Sequence, residues 1–256
     1  MNIAVVTGAS TGMGKEFVLQ LAAAMQFDEI WVIARSKEKL LALCDACSVP
    51  LRILSYDLTD PASFDSYKAL LKKEKPNITV LVNCAGFGKF GKYDEIPLSD
   101  SVGMIDLNCK ALVVMTELSL PYMQSGARIV QVDSLSAFQP VPYLNVYAST
   151  KAFVLSYSRA LNVELKPRGI RVMAVSPGWV KTPFFDRATV TNDKAVTYFN
   201  VFYEAKDVVK TAIRDMLRGK KDVSIHGLPV KAQVLGVKLL PHRLIMKIWM
   251  KQQKHK

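Results

Sequence analysis

Apolar and polar residues alternate along the chain in blocks that predict strands and helices in regular succession. Short, β-branched apolar runs are separated by longer stretches in which apolar residues recur at helical spacing. The predicted strands span residues 3–7, 30–34, 51–56, 78–82, 128–132, 170–175 and 223–225. The predicted helices span residues 16–24, 37–46, 61–73, 98–123, 145–165 and 205–217.

The predicted strands are apolar along their whole length. Such strands are buried on both faces, as in a parallel sheet that helices cover on either side. Repeated strand–helix–strand order also requires right-handed crossovers. We therefore predict an α/β fold with a doubly wound parallel sheet, in which residues 1–228 form a single domain. Residues 229–256 are expected to form a basic, helical C-terminal extension that packs on the same domain or at a subunit interface.

A glycine-rich turn, TGASTGMGK at residues 7–15, connects the first predicted strand to the first predicted helix. A dinucleotide requires a tight turn, close approach of the backbone, and a helix N-terminus directed at its pyrophosphate. This strand–turn–helix context meets those needs, and it predicts a dinucleotide site. The residues assigned to the site from this turn are Gly8, Ser10, Thr11, Gly12, Met13 and Gly14.

The turn has the spacing T-G-x-x-x-G-x-G, and a Y-x-x-x-K pattern follows at Tyr147 and Lys151. With these motifs the chain resembles the short-chain dehydrogenase/reductase family over residues 1–226. The resemblance implies a Rossmann-like fold, a nicotinamide cofactor, and interconversion of an alcohol and a ketone. It also implies a homodimer or homotetramer, formed through the helices near residues 98–123 and 145–165.

The residues after the second predicted strand favour NADP(H) as the cofactor. An acid at this position would bind the ribose 2′-hydroxyl of NAD, whereas an Arg accommodates the 2′-phosphate of NADP. Here the strand ends in Arg35, without an acid, and Ser36 could assist. The alternative is that Arg35 is an ordinary surface charge at the start of a helix.

Further cofactor contacts are implied by the resemblance alone. They are Asp57 and Leu58 near the adenine, then Asn83, Ala85, Gly86, Pro177, Gly178, Val180 and Thr182, together with Tyr147 and Lys151. Val180 would bind the carboxamide through its backbone, and Thr182 would reach a phosphate or the carboxamide. The family has an Asn where this chain has Cys84, so a role specific to that amide is not carried over.

Tyr147 and Lys151 are four residues apart on a predicted helix, so both side chains can point into one cleft. A nearby ammonium group and an oxidised nicotinamide favour the phenolate, which brings the tyrosine closer to the range useful for proton transfer. Such a pair also occurs by chance on helix surfaces. Ser134, thirteen residues before Tyr147 and just after the fifth predicted strand, strengthens the assignment, and Ser136 is its competitor.

The resemblance implies the catalytic roles. Tyr147 donates a proton to the substrate oxygen while the cofactor delivers hydride, Ser134 holds that oxygen, and Lys151 binds the nicotinamide ribose and lowers the pKa of Tyr147. Asn108 kinks the long helix and supports proton resupply, or makes only an internal hydrogen bond. A rival from another class is a non-catalytic NADP(H)-binding sensor or scaffold, since a fold alone does not prove activity.

Aromatic and aliphatic residues predominate around the predicted cleft, so we expect a small apolar ketone or alcohol, steroid-like or a general carbonyl compound. A 3-oxoacyl thioester is the alternative substrate. The candidate walls are Phe138, Gln139, Pro140, Val141, Tyr143, Leu144, Trp179, Phe184 and Phe185. A lid is predicted from Tyr198, Phe199, Phe202 and Tyr203.

Charge is distributed unevenly in a chain with a formal net charge of +12. Residues 231–256 contain seven Lys or Arg and no acid, and a helix is predicted from Pro241. Packing against the core or a subunit is the first interpretation. Peripheral contact with an anionic membrane is the second, and recognition of an acidic acyl carrier is the third. Nucleic acid is least favoured, because no binding motif accompanies the charge.

Composition bounds the remaining possibilities. Half of the 256 residues are hydrophobic and 22% are charged, as in ordinary globular proteins. We expect a cytoplasmic protein, because the sequence has neither a long apolar run nor a basic region ahead of the first strand. No metal site is expected. Cys44 and Cys47 form a C-x-x-C pair, for which reduced, unreactive thiols are favoured over a redox or metal site.

Overall fold

The computed structural model describes residues 1–188 and 195–253. Its main sheet has seven parallel strands in the order β3-β2-β1-β4-β5-β6-β9. These strands are β1 (Asn2–Thr7), β2 (Glu29–Ala34), β3 (Leu51–Ser55), β4 (Asn77–Asn83), β5 (Arg128–Val132), β6 (Arg171–Val175) and β9 (Val223–Ser224). A second sheet pairs β7 (Trp179–Lys181) with β8 (Phe202–Glu204). The predicted doubly wound α/β fold is confirmed.

The helices lie between the strands in chain order. They are α1 (Gly12–Ala24), α2 (Lys37–Leu41), α3 (Pro61–Glu74), α4 (Leu98–Ile105), α5 (Ala111–Ser119), α6 (Asn145–Glu164), α7 (Phe184–Ala188), α8 (Ala205–Arg218), α9 (Leu228–Leu239) and α10 (His242–Gln252). No helix among the residues that the structure describes is long and apolar enough to cross a membrane.

The two faces of the sheet bury separate hydrophobic clusters. Along β1, Ile3 and Val5 belong to the cluster on one face, whereas Ala4 and Val6 belong to the cluster on the other. Because successive side chains of a strand point to opposite faces, a strand covered on both faces must be apolar at every position. This is the physical reason for the continuous apolar runs from which the parallel sheet was predicted.

Several elements differ from the predictions in length or in kind. The long helix predicted over residues 98–123 is interrupted by a π-helical turn, Asp106–Lys110, between α4 and α5. The helix predicted over residues 37–46 stops at Leu41 and is followed by a short 3₁₀ turn. Strands β7 and β8 and helix α7 were not predicted, because the region directly after β6 lacks a sustained period. The expected helical C-terminal extension is confirmed by α9 and α10.

The C-terminal helices pack against the residues that surround the carboxyl end of the sheet. The indole Nε1 of Trp249 donates a hydrogen bond to the Pro142 carbonyl at 3.0 Å. The Gln253 side-chain oxygen accepts from the backbone N–H groups of Thr197, at 2.9 Å, and Tyr198, at 3.3 Å. Lys254 and Lys256, which were counted in the basic tail, lie outside the described residues.

The glycine turn provides a test of the fold, because a Cβ at Gly14 would lie 2.1 Å from the Gly8 carbonyl oxygen. We predict that Gly14→Ala lowers the free energy of unfolding by about 2 kcal/mol or more, since rigid backbone must move. Gly236→Ala is the matched control, because a Cβ at that helical position meets no atom within 4 Å. The control should be stabilised by about 0.5–1 kcal/mol. Urea unfolding of both variants measures the difference, and equal stabilities would contradict it.

Candidate active site

A cavity of about 470 Å³ lies at the carboxyl ends of β4, β5 and β6, where ligands bind in open α/β sheets. It collects many of the predicted site residues from distant parts of the sequence. Those that line it are Met13, Gly86, Ser134, Tyr147, Lys151, Pro177, Gly178, Val180 and Thr182. The glycine turn, the end of β5, helix α6 and the segment after β6 therefore meet at one place.

Ser134, Tyr147 and Lys151 lie close together within this cavity. The Ser134 hydroxyl is near enough to the Tyr147 phenol to lower its pKa through a hydrogen bond. The Lys151 Nζ lies 5.7 Å from the centre of the Tyr147 ring and donates to the Val132 carbonyl at 3.0 Å. Helix α6 presents both side chains on one face, as their spacing predicts.

The acid–base state of Tyr147 in the protein alone depends on its burial. Burial raises the pKa of Tyr147 above its ordinary value, Ser134 opposes this, and the charge of Asp133 adds to it. The expected fall in the pKa of Tyr147 requires both Lys151 and an oxidised nicotinamide and stays a prediction, whereas in the protein alone burial dominates. The phenol is therefore protonated at neutral pH, which suits a proton donor.

Asp133, a residue that sequence reasoning missed, is a buried carboxyl group beside Ser134. It is 2% exposed, lines the cavity, and accepts a hydrogen bond from Ser176 Oγ at 2.8 Å. Burial raises the pKa of Asp133 to about 7, although Ser176 and Lys151 act to lower it. Burial also lowers the pKa of Lys151, and the charge of Asp133 opposes that change. The available signal was an acid directly after a buried strand.

Asn108 lies in the π-helical turn and joins the loop after β4 to α6. Its side chain accepts from the Phe87 N–H at 3.0 Å and donates to the Phe87 carbonyl at 2.9 Å and to Thr150 Oγ1 at 3.0 Å. A Cβ at Gly86 would lie 2.9 Å from Asn108 Oδ1 and 3.4 Å from Lys151 Nζ, so all three groups meet. The internal hydrogen bonds expected of Asn108 are present.

The glycine turn has the geometry that a phosphate-binding turn requires. Gly8 has φ +68° and Gly12 has φ +53°, conformations that residues with a Cβ rarely adopt. A Cβ at Gly8 would lie 2.8 Å from the Ala85 nitrogen, so the turn closes tightly against the end of β4. Thr11 begins α1 without a side-chain cap, which leaves the first N–H groups of the helix for a ligand. These residues fit a dinucleotide.

The expected adenosine end of the site contains opposite charges. Partial burial raises the pKa of Asp57, but hydrogen bonds from Thr59 and the charges of Arg35 and Arg187 bring it below its ordinary value. Arg187, which was not predicted, packs its guanidinium over the Phe87 ring at 3.6 Å. Arg35 is exposed and forms no salt bridge with the residues that the structure describes. Its charge is thus available to a phosphate group.

Three of the expected cofactor residues have side chains that serve the protein itself. Asn83 is 3% exposed, and its amide nitrogen donates to Thr116 Oγ1 at 3.0 Å and Gln131 Oε1 at 2.9 Å. Leu58 is buried in the core, so its backbone is the part left for an adenine. Ser36 caps α2 and donates to a Glu38 carboxylate oxygen at 3.1 Å.

The substrate end of the cavity contains most, but not all, of the predicted wall. The predicted residues that line it are Gln139, Val141, Leu144, Trp179, Phe184, Phe185 and, from the expected lid, Tyr198. Phe199 instead packs on Trp179, with ring centroids 4.9 Å apart. Ser136 and Gln139 have buried side-chain oxygens without a partner among the described residues, and both residues line the cavity. A buried oxygen without a hydrogen-bond partner is costly, so these two side chains are the polar groups of the wall with unused hydrogen-bonding capacity.

The expected wall and lid residues that do not line the cavity are Phe138, Pro140, Tyr143, Phe199, Phe202 and Tyr203. Two of them contact the C-terminal region instead. Lys238 lies over the Phe138 ring at 5.4 Å, and the Tyr203 ring packs edge-on against His226 at 4.9 Å between centroids.

Helices α9 and α10 form a wall of the cavity that sequence reasoning did not assign. Their lining residues are Pro229, Gln233, Gly236, Val237, Leu240, Ile245, Ile248, Trp249 and Gln252. The signal was the apolar spacing of Ile245, Ile248 and Trp249 after Pro241, which indicates a helix with a buried face. Because most of these side chains are apolar, the cavity suits an apolar substrate.

The cysteines add no metal or disulfide site. All four are free of disulfide bonds, and no cluster of potential metal ligands occurs among the described residues. Burial raises the pKa of Cys84 to about 12, so the thiol beside the glycine turn stays protonated at neutral pH.

Comparison with known proteins places the chain among oxidoreductases. The family model for short chain dehydrogenases matches residues 2–193. An uncharacterized oxidoreductase from Staphylococcus epidermidis is 31% identical over 184 residues, covering 71% of this chain and 79% of the relative. The very-long-chain 3-oxoacyl-CoA reductase of Bos taurus is 34% identical over 201 residues, covering 75% of this chain and 63% of the relative.

A solved structure resembles the whole chain. The short-chain dehydrogenase from Sphingobium yanoikuyae in complex with NADPH has a TM-score of 0.80 and 27% sequence identity. The match covers 100% of this chain and 99% of that chain, so α9 and α10 lie within the matched region.

The buried carboxyl group of Asp133 predicts a pH dependence of stability. Its pKa is about 7 in the folded protein and about 3.9 in an unfolded chain, so the native state binds the proton more tightly. Between these two pKa values the native state keeps the proton and the unfolded state has lost it, so the free energy of unfolding of the wild type falls as pH rises. The fall is up to about 1.4 kcal/mol per pH unit. We predict that Asp133→Asn removes this loss, as measured by urea unfolding from pH 4.5 to 7.5.

The control for this prediction is Asp222→Asn, because Asp222 is an acid whose side chain is 49% exposed, in a pair with Arg159. The free energy of unfolding of this variant should change with pH in the same way as that of the wild type. If the free energy of unfolding of Asp133→Asn has the same pH dependence as that of the wild type, Asp133 does not titrate as a buried acid.

Proposed function

Because the chain belongs to the short-chain dehydrogenase family, we propose that it is an NADP(H)-dependent oxidoreductase that interconverts an apolar secondary alcohol and its ketone. The observation that carries this proposal is the meeting of Ser134, Tyr147 and Lys151 in one cavity, beside the glycine turn. A sensor or scaffold would need the turn but not this proton-transfer group.

The roles of the residues follow from their positions. The cofactor, when bound, supplies hydride to the carbonyl carbon of the substrate. Tyr147, protonated at neutral pH, donates its proton to the carbonyl oxygen, and the Ser134 hydroxyl holds that oxygen. The Lys151 ammonium stabilises the phenolate that remains. Asn108 is a positioning residue, because it fixes the loop after β4 beside Lys151.

NADP(H) is proposed over NAD(H) because of the charge at the end of β2. Arg35 is exposed there, and a guanidinium pairs well with a phosphate dianion through two parallel hydrogen bonds. Arg187 adds a second positive charge close enough to influence both Arg35 and Asp57. The similar structure from Sphingobium yanoikuyae was solved with NADPH, which supports the same choice.

A ketosteroid or another bulky apolar ketone is the first substrate class we propose. The apolar wall from α9 and α10 supports it, and Gln139 and Ser136 supply a few polar contacts. A 3-oxoacyl thioester is the second class, favoured by the 34% identity to the bovine very-long-chain 3-oxoacyl-CoA reductase. Both classes place a carbonyl group on an apolar body.

We also propose a homodimer or homotetramer, built on the exposed faces of α4 and α6. Val102, Ile105 and Phe153 are 47%, 51% and 45% exposed on these two helices, which pack against each other, and a subunit contact would cover them. A reducing, cytoplasmic location is proposed with it, and the absence of disulfides between the four cysteines supports that location.

The first test is NADPH oxidation by the purified protein with a panel of ketosteroids, 3-oxoacyl thioesters and simple ketones. We predict turnover of at least one class by the wild type, and a loss of at least 100-fold in kcat for Tyr147→Phe, because the proton donor is removed. The dissociation constant for NADPH, from fluorescence titration, should change little. A panel without any turnover would favour the sensor, and an active Tyr147→Phe would refute the proton-donor role.

The second test concerns the choice of cofactor. We predict that Arg35→Asp lowers kcat/KM for NADPH by at least tenfold and not for NADH, because a carboxylate repels the 2′-phosphate. Arg218→Asp makes the same charge change at the exposed end of α8 and should leave the preference unaltered. Equal effects of Arg35→Asp on both cofactors, or NADH preferred by the wild type, would argue against NADP(H).

A further inference from the structure

The outer surface of α9 and α10 is apolar although it faces solvent. Six large aliphatic side chains are between 42% and 80% exposed there: Leu228, Leu235, Leu239, Leu240, Leu244 and Ile248. Single exposed apolar residues are common on proteins, but Leu228, Leu235 and Leu239 lie seven and four residues apart on α9 and so share one face of that helix, which indicates an interaction surface. These six residues, five on the exposed faces of α9 and α10 and Leu240 between the two helices, define the outer surface.

Positive charge accompanies the apolar residues on the outer surface. The exposed cations on the two helices are Lys231, Lys238, Arg243, Lys247 and Lys251. The sequence contains no acid after Asp222, and none of these cations forms a salt bridge with the residues that the structure describes. The outer surface is therefore both apolar and cationic, the combination that suits an anionic lipid headgroup region.

The inner faces of the same helices hold the outer surface in place. Val230, Val234 and Val237 of α9 and Ile245 and Trp249 of α10 are buried. A rotation that hid the exposed leucines would expose these residues instead. The exposure of the outer surface is thus a fixed property of the folded chain.

The substrate cavity reaches the outer surface. Leu240 and Ile248 both line the cavity, yet they are 42% and 43% exposed. A side chain that touches the cavity and the solvent at once lies on the rim of an opening. The apolar interior of the site is therefore continuous with the apolar outer surface.

We propose that the outer surface of α9 and α10 docks on an anionic lipid bilayer and places the opening of the cavity against it. An apolar substrate then passes between the bilayer and Tyr147 without crossing water. The docking depends only on the surface, whereas the transfer of substrate rests on the proposed function.

Two other occupants explain the outer surface less well. A second copy of this chain related by two-fold symmetry would bring the same cations opposite one another, which is repulsive. An acidic carrier protein would match the cations, but it would leave the leucines between them facing a polar partner. A bilayer offers anionic headgroups for the cations and, directly below them, an apolar interior for the leucines.

The test is sedimentation of the full chain with vesicles. The probes are vesicles of phosphatidylcholine alone and vesicles that contain about 30% phosphatidylserine. The second set provides the negative surface charge that anionic lipids give a cellular membrane. We expect the partition coefficient to be at least tenfold higher on the anionic vesicles, and to fall as salt is raised. Equal binding to both vesicles, or binding to neither, would overturn the proposal.

Two double variants separate the contributions, and neither alters a cavity residue. Lys247→Glu with Lys251→Glu should reduce binding to anionic vesicles at least tenfold, and Leu235→Ser with Leu239→Ser should also reduce it. Lys72→Glu with Lys73→Glu is the control, since it reverses the same charge on exposed positions of α3 and should bind like the wild type. Thermal unfolding confirms that each variant is folded, and docking variants that bind like the control would refute the assignment of the surface.

Activity distinguishes failure of docking from failure of the proposed function. The two double variants of the outer surface should reduce a water-soluble ketone at the wild-type rate. Their rate of reduction of a long-chain ketone presented in anionic vesicles should be at least fivefold lower than that of the wild type. Vesicle binding without any reductase activity would retain the docking and reject the function. Reductase activity without vesicle binding, together with capture of an acidic acyl carrier, would reject the bilayer in favour of a protein partner.

Discussion

The buried ammonium group of Lys151 is the constraint on which the arrangement of the active site depends. It is 6% exposed, and a buried cation is costly unless nearby groups compensate for the lost water. The Val132 carbonyl accepts one hydrogen bond from it, and the Asp133 carboxyl opposes the fall in its pKa. This hydrogen bond joins the end of β5 to α6, and Ser134, which follows β5, and Tyr147 of α6 line the same cavity.

The same ammonium group explains the loop after β4. Gly86 approaches Lys151 and Asn108 so closely that a Cβ would lie 2.9 Å from the Asn108 oxygen. The π-helical turn places Asn108 where its side-chain amide forms hydrogen bonds with both Phe87 and Thr150. One extra residue in a helix thus supports a loop on one side and the catalytic helix on the other, which is a common use of such turns at functional sites.

The sheet could be predicted from the sequence, and the predicted Ser134, Tyr147 and Lys151 line one cavity, whereas the wall of that cavity was predicted only in part. Continuous apolar strands such as β1 reflect burial on both faces, and a glycine turn with Tyr147 and Lys151 has a spacing that local geometry explains. Asp133 was missed because its importance depends on burial next to Lys151, a contact between separate elements. The helical nature of the C-terminal extension was predicted, but its place in the cavity wall was not, because that depends on how α9 packs against residues distant in sequence.

The division of the cavity between early and late parts of the chain has a consequence for selectivity. Gly236 lines the substrate end, and the space where its Cβ would lie contains no atom within 4 Å. Gly236 belongs to α9, whereas Tyr147 and Lys151 belong to α6, so the two parts of the cavity wall come from separate elements. Substitution at this one helical position would therefore change the wall that α9 contributes to the cavity while leaving α6 and the glycine turn unaltered.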